Sequence, residues 1–170
     1  MNIAIILAGG TGNRMGQDIP KQFINVNDKP VLIYTLEGFE RHDGIDEICV
    51  VCIKGWESMV RAYANQFCIT KLKHIVEAGA SAQESIYNGV RHLRETCAES
   101  DTVIIHDGIR PLVDASVLTD VIEKAQRYGN AVTSMPYNEQ IFVVSQDDET
   151  TTTQYIPRET LRRVSTPQAY

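Results

Sequence analysis

A chain of 170 residues with 43% hydrophobic and 22% charged residues carries enough apolar material for one domain with a sizeable core, since domains of this length bury roughly 70% of the unfolded chain's surface. The formal net charge of −6 argues against a nucleic-acid partner and leaves room for a small basic pocket that holds phosphates. No apolar stretch is long enough to cross a bilayer, and Met1 leads into residues 3–8 without a basic segment or a cleavage signal, so a cytoplasmic protein with no membrane partner is expected.

Residues 2–8 (NIAIILA) are an unbroken, β-branched apolar run that ends in glycines, the pattern of a parallel strand buried on both faces. Pro30 can open a helix, and Leu32, Leu36 and Phe39 follow at helical spacing, which predicts an amphipathic helix over 30–41. A strand over 47–53, a helix over 56–67 and a short strand over 71–77 come next. Cys49 and Cys52 form a CxxC, yet three-residue spacing on a strand sends two side chains to opposite faces, so buried reduced thiols are expected rather than a metal or redox pair.

Ser81 and Glu84 make a capping box ahead of Ile86, Val90 and Leu93 at helical spacing. Residues 102–105 read as a strand that ends in HDGIRP, Asp114 as the cap of a helix stopped by Gly129, and 131–135 as a further strand. Strands alternating with helices imply an α/β fold with a mostly parallel sheet and helices on both faces, whose ligands bind beyond the carboxyl ends of the strands. From Gln140 the rhythm changes, and 141–145 and 150–156 read as a hairpin that projects as an arm from the single domain.

Gly9, Gly10, Gly12 and Gly16 follow the first strand, where glycine lets the backbone approach a phosphate and offer unhindered N–H donors. Their spacing matches neither the dinucleotide fingerprint nor the Walker loop, and a glycine-rich turn with no ligand is the competing reading. Arg14 and Lys21 in the same segment supply two cations suited to gripping a triphosphate, against the alternative of two solvated surface charges, and Pro20 stiffens the backbone before Lys21. Asp107 at a strand end is suited to a divalent cation bridging phosphates, or else to a cap or loop role, while His106 beside it reads as structural. Gly79, Ala80 and Ser85 sit at a loop-to-helix junction where N–H groups and a hydroxyl are suited to a base edge or phosphate, a plain capped helix being the alternative.

Taken together, LAGGTGNRMG with PKQF, GASAQES, HDGIRP and IPRETLRRVSTPQ closely resemble the IspD/TarI cytidylyltransferase family over essentially the whole chain. The resemblance implies a Rossmann-like nucleotidyltransferase fold and transfer of CMP from CTP to a small alcohol phosphate, with release of pyrophosphate and use of Mg2+. It further implies Arg14 and Lys21 as the catalytic charges, and Leu7, Ala8, Gly9, Gly10, Gly12, Gly79, Ala80 and Ser85 around CTP. Asp107 would hold the metal, and Arg110, Gln140 and Arg158 would face the alcohol phosphate. In such a family the arm, here 137–160, is exchanged across a two-fold homodimer, so that Arg158 completes the neighbour's site.

HDGIRP, the KGW at 54–56 and GASAQES look more like the polyol-phosphate branch (ribitol 5-phosphate) than the methylerythritol branch, where HDAARP is usual. Family members often carry an arginine near Ala82 and a threonine where Gln140 stands. They also continue past TPQ into a last helix and strand bearing another lysine, whereas the sequence given ends at Tyr170 and is expected to be part of a longer chain. A sugar-1-phosphate nucleotidyltransferase using UTP or GTP and a nucleotide-binding paralogue without turnover remain alternatives.

Overall fold

Strand β1 (Asn2–Ala8) is the spine of the molecule: Ile3, Ala4, Ile5 and Ile6 are fully buried, and the strand pairs in parallel with Glu47–Cys52 on one side and Thr102–Asp107 on the other. The computed structural model describes residues 1–10 and 19–170. After a one-turn 3-10 helix (Lys21–Phe23) come the two-residue strands β2 (Asn25–Val26) and β3 (Lys29–Pro30). They are joined by Asn27 and Asp28 at φ 49 and 62°, two residue types that tolerate the left-handed backbone a two-residue hairpin needs. Then follow α1 (Val31–Glu40), β4 (Glu47–Cys52), α2 (Glu57–Gln66), β5 (Leu72–Glu77), α3 (Ala82–Leu93), β6 (Thr102–Asp107), α4 (Ala115–Tyr128) and β7 (Ala131–Pro136). The chain ends in β8 (Ile141–Val144), β9 (Thr152–Ile156), a 3-10 turn (Arg158–Thr160) and β10 (Arg162–Ala169).

The main sheet has the order β5-β4-β1-β6-β10-β7. Its first four strands are parallel, and β10 lies antiparallel between β6 and β7. Side chains alternate along β1 and β4 into two cores. Ala4, Ile6, Val50 and Cys52 face α1, α2 and α4 through Leu36, Phe39, Val60, Leu118 and Val121, whereas Ile3, Ile5, Cys49 and Val51 meet Leu93 of α3. The helices therefore do cover both faces, three on one and one on the other, which is why both central strands read as unbroken apolar runs.

The predicted caps are present. Ser81 Oγ accepts from Glu84 N at 3.1 Å, Asp114 Oδ1 from Ser116 N at 2.8 Å, and Gly129 ends α4 at φ 89°. Strand β10, like the β2–β3 hairpin, was not anticipated by the sequence reading. Pro167 lies inside it and removes a ladder donor, and the register shifts between Val164 and Gln168 around that residue. The hairpin β8–β9 forms a two-stranded sheet of its own, with Phe142 opposite Tyr155 and both more than half exposed.

Cys49 and Cys52 do point into opposite cores, and burial pushes each thiol up to about 12. At pH 8 that leaves roughly one thiol in ten thousand ionised. A thiol-reactive chromophore should label exposed Cys68 in the native protein and reach Cys49 and Cys52 only after unfolding.

His106 is buried against Phe39, with ring centroids 5.1 Å apart, and its Nε2 donates to the Arg110 carbonyl at 2.9 Å, as a structural role requires. Nδ1 is buried with no partner among the described residues, and desolvation lowers the pKa below the ordinary 6.5. The unfolded chain therefore takes up the proton first as pH falls, so stability that is intact above 6.5 is lost on further acidification. Melting temperature followed from pH 8 to 5 should drop, and His106→Gln, which keeps a donor for Arg110, should flatten that drop.

Candidate active site

The four parallel strands end at one level, and the chain leaves each of them at the same cleft. Ala8 O accepts from Ile53 N at 3.4 Å, Cys52 O from Ala78 N at 2.8 Å, and Leu7 O from Gly108 N at 2.9 Å, which binds the segments after β1, β4, β5 and β6 into one rim. The cleft above them measures about 740 Å³, within the range that small-molecule sites occupy. Its walls include Leu7, Ala8, Gly9, Gly10, Lys21, Gly79, Ala80, Ser85, Asp107 and Arg110, so ten residues singled out in the sequence meet in one place. Gly12, Gly16 and Arg14 lie outside the described residues, and Gln140 and Arg158 are not part of this wall.

Close approach explains the first glycine. A Cβ at Gly9 would come within 2.4 Å of Ala78 Cβ, so only glycine lets the end of β1 lie against the turn after β5. That turn is tied to α3 from within. Ser85 Oγ accepts from Gly79 N at 3.1 Å and donates to Ser81 O at 2.8 Å, while Glu84 Oε2 accepts from Ala80 N at 2.8 Å. The amides of Gly79 and Ala80, expected to be open to a ligand, are thus already satisfied. The carbonyl oxygens of the turn are acceptors of a kind suited to an exocyclic amine on a base.

Among the described residues the lining carries three cations, Lys21, Lys54 and Arg110, against the single carboxylate of Asp107, a locally positive site in a chain of net charge −6. Arg110 Nε donates to Asp107 Oδ2 at 2.6 Å, and the Asp107 amide donates to Thr166 Oγ1 of β10 at 3.4 Å, so the unanticipated strand supports this carboxylate. Lys54 pairs loosely with Glu77 at 3.3 Å, with its side chain 80% exposed, an arrangement that costs little to break. Among the described residues no group of three or more His, Cys, Asp or Glu side chains could hold a metal by itself. A lone carboxylate such as Asp107 still suits Mg2+, which is held by one or two carboxylates together with substrate phosphates.

Two further features were not singled out from the sequence, the bonds of Gln22 in the wall and a ring stack. Gln22 is 1% exposed, and its amide donates to Ala8 O at 2.7 Å and to Gly10 O at 2.9 Å. Phe23 stacks on Trp56, ring centroids 4.3 Å apart and 14° from parallel. Polar burial of this kind leaves no periodic trace in a sequence, and the stack joins segments separated by a whole helix and strand.

The family model for 2-C-methyl-D-erythritol 4-phosphate cytidylyltransferase (IspD) matches residues 2–170. The chain is 58% identical to a ribitol-5-phosphate cytidylyltransferase of Lacticaseibacillus paracasei, covering all of this chain and 72% of that protein. It is 41% identical to a protein of the same name from Vibrio parahaemolyticus, over 87% of this chain and 63% of that one, so it spans roughly two thirds of these relatives' length. A solved 4-diphosphocytidyl-2C-methyl-D-erythritol synthase from Anaerococcus prevotii, 22% identical, superposes with a TM-score of 0.81 over 99% of this chain and 70% of its own, and shares the fold. With the cleft where such sheets bind ligands and the family model matched over nearly every residue, the chain belongs to the IspD family of cytidylyltransferases.

Proposed function

We propose that the protein transfers CMP from CTP to ribitol 5-phosphate, giving CDP-ribitol and pyrophosphate. The observation that carries this reading is the positive cleft at the strand ends, walled by Lys21, Arg110 and the glycine turn, in a chain 58% identical to a relative named for that reaction. A phosphate oxygen of the acceptor attacks the α-phosphorus of CTP, a new P–O bond forms, and the bond to the β-phosphate breaks with pyrophosphate leaving. The acceptor is already an anion, so the protein's work is positioning and charge stabilisation rather than proton transfer.

In this reading the carbonyls of the Gly79–Ala80 turn accept from the cytosine amine, and the small Gly9 and Gly10 bring the backbone against the nucleotide. Lys21, with Arg14, faces the charge that builds on the α-phosphate. Arg110 and Asp107 divide the remaining work, one meeting a phosphate and the other holding Mg2+, whose bound charge would offset that of the phosphates. The half-exposed Phe142, Val144 and Tyr155 of the arm favour pairing of two copies through residues 137–160, which would carry Gln140 and Arg158 toward the partner's cleft. CTP and the alcohol phosphate place the reaction in the cytoplasm.

Pyrophosphate release measured with each of CTP, UTP, GTP and ATP, against ribitol 5-phosphate and 2-C-methylerythritol 4-phosphate, tests the assignment. CTP with ribitol 5-phosphate should be the best pair by at least about tenfold, the scale on which a pocket with polar partners discriminates. Turnover with UTP or GTP but not CTP would overturn it, and preference for the methylerythritol phosphate would move the protein to the other branch. Lys21→Ala should lower kcat by ~10² to 10³ while changing the KM for CTP far less, because the lysine acts on charge that develops in the transition state.

A further inference from the structure

The one-turn 3-10 helix that carries Lys21 is held by a closing backbone bond, a ring stack and a buried amide. Pro20, Gln22 and Phe23 are buried, Lys21 and Gln22 both border the cleft, and of the two only Lys21 brings a charge to it. Phe23 N donates to Pro20 O at 2.8 Å, closing the turn, and the Phe23 ring is fixed by its stack on Trp56. Gln22 then spends both hydrogens of one amide group on the carbonyls that flank Gly9, those of Ala8 and Gly10. These three contacts leave the turn little freedom to slide against the end of β1.

We propose that Gln22 is the positioning residue of this site: it locks the Lys21 turn to the carbonyls of Ala8 and Gly10, so that the ammonium and the glycine backbone keep a fixed separation across the triphosphate. The inference rests on the CTP-dependent reading above and concerns how that site is held. Two neighbouring donors on a planar amide can satisfy two carbonyls two residues apart only while the backbone keeps this shape. A residue with no donors leaves Ala8 O with only the long 3.4 Å bond from Ile53 N and leaves the exposed Gly10 O to water, so the turn and the glycines are free to part. The consequence falls on orientation more than on affinity, since a displacement of about 1 Å at a reacting group costs on the order of 10²-fold in rate.

The test is a double-mutant cycle on the purified protein with CTP and ribitol 5-phosphate, run with thermal melts on every variant. Gln22→Met, similar in length and lacking donors, should lower kcat on the order of 10²-fold with the KM for CTP changed less than about threefold. In a Lys21→Ala background the same change should cost less than about threefold, because its effect passes through the lysine. Additive losses in the double variant, or a kcat for Gln22→Met within threefold of wild type, would overturn the proposal. So would equal losses in kcat/KM arising from KM alone. Gln22→Asn, which keeps the amide but is too short to span both carbonyls, is held to the same criteria if the methionine variant does not fold. A wild-type protein with no CTP-dependent turnover refutes the reading of function, whereas an active wild type with an indifferent Gln22 refutes only the positioning role.

Discussion

The site depends on one constraint, the parallel register that holds β1 between β4 and β6. Ala8 lies opposite Cys52 and Leu7 opposite Asp107, so three chains must leave the sheet within a residue of the same level. Because β1 is buried on both faces, its backbone groups are fully committed to neighbours until Ala8, and the first free chain is glycine. Fully buried side chains to either side of the strand resist any slip, which would carry every apolar residue to the wrong core. The cleft is therefore a consequence of where strand pairing stops, and its place does not depend on the residues that line it.

Onto that fixed rim the chain adds charge sparingly. An acidic protein with three cations in one cleft concentrates its attraction for anions there, and the Arg110–Asp107 pair keeps part of that charge internally balanced until a ligand arrives. The pair is partly exposed, so its separation costs little, and each member is of a type useful to phosphoryl transfer once apart. Behind it, the donation from His106 to the Arg110 carbonyl anchors the backbone of the loop.

How much of this was legible in the sequence follows from which physical signals are periodic. The double burial of β1, the Ser81 and Asp114 caps and the Gly129 stop are local and type-specific, and each was found where it was read. The arm was legible as two β-rich runs around a polar turn. Strand β10 was not, because Pro167 contradicts a strand locally and only the sheet's edge, between β6 and β7, makes room for it. The hairpin at Asn27 and Asp28 had a turn signal that was passed over. At the site ten of the residues read from the sequence share one cleft and Gln140 and Arg158 do not, and the bonds differ from those expected: the amides of Gly79 and Ala80 are spent within the turn, and Gln22 shows no sign in sequence of the two carbonyls it serves.

The Phe23–Trp56 stack ties these observations together. Trp56 belongs to the KGW segment after β4, the stretch that pointed toward the polyol-phosphate branch, and Phe23 belongs to the turn that carries Lys21. Two rings 4.3 Å apart and nearly parallel move as a unit, an offset-stacked contact worth about 1 kcal/mol beyond the area it buries. Lys54, two residues before the tryptophan, lines the same cleft. The KGW segment is therefore joined by packing to the segment that carries Lys21. A change in the β4 loop would then be felt at Lys21 as well as at its own wall, because the glycine turn, the lysine turn and the KGW loop share a single packed joint.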